Sequence, residues 1–150
     1  MPAELPHIGE VEASLTPSEL AVLRRQYERE QPKPSAQTCF NYAWGLVKSG
    51  KRQDQLMGVQ LLSQVWKDQP ERARECLYYL ALGHHKLGAH LEARKYNDAL
   101  LSLEPENRQA QELRTIIDYR VTREGLMGMT IVGGLIIGAG IVIAQVFRRS

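Results

Sequence analysis

The chain has 150 residues, 43% hydrophobic and 24% charged, with 19 Lys and Arg against 17 Asp and Glu. The net charge of +2 is carried by Arg148 and Arg149, so residues 1–124 hold equal numbers of both signs, interspersed; this excludes the basic stripe that nucleic-acid binding requires. The two cysteines, Cys39 and Cys76, lie far apart with no C-x-x-C pattern, and no N-terminal signal peptide is recognisable, which points to a reduced, cytosol-facing domain.

Residues 1–15 contain two prolines and a glycine and show no helical period. They read as an extended arm whose Leu5, Ile8, Val11 and Leu15 give it a means of docking. The helical domain is expected over 16–124. Thr16-Pro17-Ser18-Glu19 is a capping box with proline at the first helical position, and it opens a helix that ends near Glu30, before Pro32 and Pro34. Ser35 caps a second helix that stops at Ser49-Gly50. A third is expected from about Gln53 to Lys67, before Pro70. A fourth runs from about Glu71 to Leu87, where Gly88 stops it, and a fifth from about Leu91 to Leu103, before Pro105. The sixth runs from Asn107 to about Thr122, with Ala110, Leu113, Ile117 and Val121 on one face. No stretch alternates with period two, so the fold class is all-α, a six-helix bundle.

Residues 125–147 follow, 23 residues without a formal charge. As a helix they would span about 35 Å, enough for a hydrocarbon core of about 30 Å. The expectation is a transmembrane tail anchor, inserted after translation and followed by the basic tail 148–150. The alternative is a buried core helix. Within this run Gly134 and Gly138 are spaced for close packing of two membrane helices, which suggests a homo-oligomer, although a merely glycine-rich anchor has the same sequence. Arg148 and Arg149 can engage headgroups at the far interface.

The second and third helices resemble the fourth and fifth. Gly58 and Ala93 are 35 residues apart, as are Pro70 and Pro105, while Tyr42 and Tyr78, Gly45 and Ala81, and Leu46 and Leu82 are 36 apart. A period near 34 with small residues at helix crossings and a terminal proline is the tetratricopeptide signature. Gly45, Gly58, Ala81 and Ala93 are therefore the expected helix-crossing positions, where a larger side chain would force backbones apart. Two units are present, with the first and sixth helices as caps. Counting along the first helix of each unit places Cys39, Tyr42, Leu46 and Ser49, and Glu75, Tyr78, Leu82 and His85, on the concave surface. Its middle would be apolar and its rim polar, suited to a peptide or helix ligand. The same residues could instead be core packing beneath the arm, and both hold if the arm is displaceable.

No phosphate loop and no nucleophile elbow occur, so no catalytic residues and no enzymatic activity are expected. His84, His85 and His90 do not form a metal set, because adjacent histidines face apart and no cysteine or carboxylate completes the spacing. No cofactor is implied.

Three blocks carry a family resemblance: Phe40 to Ser49 (FNYAWGLVKS), Arg74 to Gly83 continuing through Lys86-Leu87-Gly88, and Gly125-Leu126 with Val132-Gly133-Gly134. In that order they resemble the mitochondrial fission 1 protein family, most of all its fungal members. The resemblance implies a tail-anchored adaptor of the mitochondrial outer membrane, facing the cytosol, and also of peroxisomes. It implies recruitment of a dynamin-related GTPase through a WD-repeat adaptor that uses the concave surface. Tyr42, Leu46, Glu75, Tyr78, Leu82 and His85 take the groove positions, and Arg148-Arg149 resembles an outer-mitochondrial address. A second reading is a tail-anchored import or chaperone receptor for amphipathic peptides. The apolar, aromatic groove speaks against a carboxylate clamp for chaperone tails.

Overall fold

The computed structural model describes residues 5–127, 130–132 and 135–137, with side chains up to residue 123. The chain divides into two units at Ile117/Asp118. The elements are α1 (Ile8–Glu12), α2 (Pro17–Arg29), α3 (Ala36–Lys48), α4 (Arg52–Asp68), a 3-10 turn (Pro70–Arg72), α5 (Ala73–Lys86), α6 (His90–Leu103) and α7 (Arg108–Met127), then two strands, β1 (Thr130–Val132) and β2 (Leu135–Ile137). The six expected helices are present, with ends within a few residues of their sequence signals.

Local chemistry explains most of the ends. The Thr16 hydroxyl accepts from the Glu19 amide while the Glu19 carboxylate accepts from the Thr16 amide at 2.7 Å, closing the capping box of α2. Ser35 caps α3 by accepting from the Thr38 amide at 3.1 Å. Asn107 caps α7 the same way, its side-chain oxygen accepting from the Ala110 amide. Gly88 closes α5 at φ +80°, a conformation L side chains rarely adopt, and the Ala89 amide then returns to the His84 carbonyl at 2.9 Å.

In the first unit α3 packs on α4 and α5 on α6, and α4 joins the two pairs by packing on α5. A methyl group at Gly58 would lie 2.8 Å from the Ala43 carbonyl oxygen and 2.9 Å from Val47, so α4 crosses α3 backbone to backbone. Gly83 marks the next crossing, 2.7 Å from Val59 in the same sense. Ala81 and Ala93 are fully buried. Gly45 also lies at a close approach, here to α2 and the arm. It faces Leu23 and Leu20 of α2 and Leu15 of the arm, because α2 lies along that side of α3. Asn97, in a place where the repeat pattern has an aromatic, is fully buried and donates to the Ala110 carbonyl at 2.7 Å, tying α6 to α7.

α7 runs on to Met127. Beyond it Thr130 pairs with Ile137, Ile131 with Ile136 and Val132 with Leu135, antiparallel. Over these six residues the backbone departs from the expected membrane helix. All but Leu135 are β-branched, a composition that favours strands where no apolar medium demands a helix. Among the described residues no helix is long and apolar enough to cross a membrane. Most of the run 125–147, Gly134, Gly138, Arg148 and Arg149 lie outside them.

Candidate partner-binding site

The concave positions on α3 and α5 are occupied by other parts of the chain. On α3, Tyr42 and Leu46 are buried and form a cluster with Leu20, with Leu23 and Tyr27 of α2 and Leu61 of α4 packed against it. The Tyr27 and Tyr42 rings lie 5.0 Å apart, and the Arg24 guanidinium donates to the Tyr42 hydroxyl at 3.2 Å. α2 therefore covers this half.

On α5, Tyr78 and Leu82 are fully buried, and the element that meets α5 from the arm is α1. The Tyr78 hydroxyl donates to the Pro6 carbonyl at 2.7 Å, and the Lys86 ammonium donates to the Val11 carbonyl at 2.8 Å. Lys86 also lies 3.8 Å from the Glu12 carboxylate. Leu5 and Val11 are buried beneath the arm. Burial pushes the Tyr78 phenol far above its usual range, so it stays a hydrogen-bond donor.

The rim residues are separate. Glu75 is half-exposed, 3.6 Å from the Arg72 guanidinium. The Nδ1 of His85 lies 3.3 Å from the Nδ1 of His90, while His84 stacks on Tyr96 with centroids 5.2 Å apart. The adjacent histidines do face apart, and burial lowers the His84 pKa. Among the described residues no group of three or more His, Cys, Asp or Glu could hold a metal ion. Both thiols are free; burial raises the Cys39 pKa and pushes Cys76 up to about 12, so neither is a ready nucleophile.

What stays open is an aromatic cleft that the repeat count passes over. Phe40, Trp44 and Tyr79 form it, with Tyr79 5.5 Å from Phe40 and 5.2 Å from Trp44. Its volume is about 140 Å³, with Leu5 of the arm and the polar Gln37, Asn41 and Glu75 among its lining. Arg72 lies over Phe40 at 5.5 Å and Lys48 over Trp44 at 5.7 Å. A sequence signal for it existed: Phe40, Trp44 and Lys48 follow one another at four-residue steps along α3.

Two crossed helix pairs with an apolar face closed by the chain's own N-terminal arm define a helical binding scaffold of the tetratricopeptide type, built to hold another polypeptide. Residues 37–69 match the model of the Fis1 N-terminal tetratricopeptide repeat and residues 74–126 that of the Fis1 C-terminal tetratricopeptide repeat. The chain belongs to the mitochondrial fission 1 protein family. It is 55% identical to the mitochondrial fission 1 protein of Gibberella zeae, covering 100% of this chain and 98% of that one. It is also similar to yeast Fis1 in a crystal structure with an Mdv1 fragment containing N-terminal extension and coiled-coil domains, with TM-score 0.79, 36% identity and coverage of 83% and 98%. A second such structure, yeast Fis1 with a fragment of Caf4, gives TM-score 0.62 and 40% identity, covering 64% of this chain and 99% of that one. The family is one of tetratricopeptide-fold adaptors, not of enzymes.

Proposed function

We propose that this protein is a tail-anchored adaptor of the mitochondrial outer membrane that recruits the fission machinery through the groove on α3 and α5. The observation that carries the proposal is the arm docked on α5 through Tyr78 and Lys86: the face that would receive a partner holds a peptide segment of the chain itself. Similar yeast Fis1 chains are known in complexes with Mdv1 and Caf4 fragments, which supports an adaptor of that kind as partner here. A WD-repeat adaptor would in turn bring a dynamin-related GTPase.

The anchor rests on the uncharged run 125–147. In a bilayer a two-stranded hairpin leaves its outer edges without hydrogen-bond partners, whereas a helix satisfies every group internally. The same segment is thus expected to be helical once inserted. Gly134 and Gly138 would then allow close pairing of two anchors, and Arg148 and Arg149 would direct the chain to mitochondria and, in part, to peroxisomes. Confinement to a surface raises the effective concentration of the groove, so weak contacts suffice to assemble a multivalent coat.

The test is capture of a Mdv1-type adaptor fragment by the full chain in outer-membrane vesicles. Trp44→Ala and Tyr79→Ala act at half-exposed positions beside the arm and should weaken capture about tenfold or more, as loss of an aromatic anchor does. Unchanged capture with both variants would move the site elsewhere.

A further inference from the structure

The two helices of the second repeat join through a tight turn, and each gives one histidine to the join. His85 stands in the last turn of α5, and His90 is the first residue of α6. Main-chain bonds fix the turn between them. The Leu87 amide donates to the Gly83 carbonyl at 3.0 Å, the Gly88 amide to that of His85 at 3.0 Å, and the Ala89 amide to that of His84 at 2.9 Å. The Arg52 guanidinium of α4 donates to the Leu87 carbonyl at 3.1 Å and pins the turn from the first repeat.

In this frame the two Nδ1 atoms lie 3.3 Å apart and the ring centroids 5.2 Å apart, with the planes tilted by 55°. A straight hydrogen bond of that length would set the centroids about 5.6 Å apart, and it would exceed the roughly 2.7–3.2 Å of an ordinary N–H···O bond. Two Zn–N bonds of about 2.05 Å meeting at the tetrahedral angle hold their nitrogens about 3.3 Å apart and, with a ring radius of about 1.15 Å, their centroids about 5.2 Å apart. Both separations therefore match the edge of a metal tetrahedron. His84 stacks on Tyr96 and takes no part, and the neighbouring Lys86 ammonium is engaged by the Val11 carbonyl and the Glu12 carboxylate. His90 is buried at 8% exposure, whereas half-buried His85 leaves the pair open to solvent on its side.

We infer that His85 and His90 form a two-nitrogen chelate for a zinc ion, bound through both Nδ1 atoms with water in the two remaining positions. Sequence spacing shows no such set, because the turn creates the pair and no third protein ligand joins it among the described residues. Two ligands are fewer than the four of a structural zinc site, so the ion is exchangeable and the fold does not require it. Imidazole nitrogen suits zinc, whereas magnesium and calcium take oxygen ligands. On binding, the hydrated ion gives up two waters and both rings carry their proton on Nε2. The ion then staples the end of α5 to the start of α6. This inference does not rest on the reading of the groove as a partner site.

The test uses the untagged full chain in detergent micelles, labelled at histidine with the heavy nitrogen isotope, and zinc chloride as the probe. Long-range proton–nitrogen spectra should show the Nδ1 signals of His85 and His90 shifting together as zinc is added, with His7 and His84 unmoved. Magnesium should shift neither. Calorimetry should give one zinc per chain, weakened at least about tenfold by His85→Gln or His90→Gln, since a chelate gains from the effective concentration of its second arm, and unchanged by His84→Gln. If a variant loses its helical circular dichroism, the nitrogen shifts of the unaltered chain decide alone. Zinc that moves only His7 or His84, zinc that moves Nε2 in place of Nδ1, equal affinity in all three variants, or no shift at about 1 mM zinc overturns the chelate.

Discussion

The two halves of the concave face are both covered, but by different means. Over α3 lies α2, a helix of 13 residues whose start is fixed by a closed capping box and which buries Leu20 against Tyr42 and Leu46. Over α5 lies the arm with its five-residue helix α1, held by hydrogen bonds to the Pro6 and Val11 carbonyls and by the buried Leu5 and Val11. A helix that short has no stability of its own, so it exists only while docked. The difference teaches that the two halves would open at different cost: lifting α2 breaks the packed core over α3, whereas lifting the arm breaks a few contacts on α5.

The comparison can be broken by substitution. Leu46→Ala should cost about 3 kcal/mol of global stability in urea unfolding, because a fully buried side chain leaves a cavity; a cost near zero would mean that α2 is as loosely held as the arm. Gly58→Ala should cost about 2 kcal/mol by the same measurement, since a backbone carbonyl sits in the way, while Gly45→Ala should cost less because it meets only leucine side-chain ends. Tyr78→Phe should leave global unfolding nearly unchanged but weaken arm docking by about 1 kcal/mol, seen as faster amide exchange in α1 alone. Exchange accelerating equally in α2 and α1 would erase the distinction between the halves.

The smallest effect concerns acid. Burial lowers the His84 pKa below its ordinary value of 6.5, so the unfolded chain takes up the proton first. Stability should therefore fall as pH drops below about 6.5 and level off once pH is under the lowered folded value. His84→Gln should flatten that slope between pH 7 and 5, and an unchanged slope would assign it to other groups.

Much of this architecture was legible because it is written locally. Caps at Thr16, Ser35 and Asn107, and breakers at Pro70, Gly88 and Pro105, mark helix limits independently of tertiary structure. The 35- and 36-residue spacings revealed the repeat. α1 left no such mark, because its one turn is stabilised by docking on α5 and carries no helical period of its own. The groove residues were found by counting, but counting cannot say what lies on top of them. That Tyr42 and Leu46 sit beneath α2 depends on where the first helix packs, as does the placing of Gly45 against Leu23. The aromatic cleft is hidden from counting for a related reason: Tyr79 sits one residue past the concave position Tyr78, and only the packing of α5 beside α3 brings it to Phe40 and Trp44.

The position of Trp44 has an optical consequence. It stacks near Tyr79 beneath Lys48 and lines, with Leu5, Pro6 and His7, the edge of the docked arm. The only other tryptophan, Trp66, packs against Tyr96 instead. Lifting the arm hydrates one indole and leaves the second as it was. With Trp66→Phe as background, the emission maximum of Trp44 becomes an unlabelled readout of whether the groove is vacant or filled.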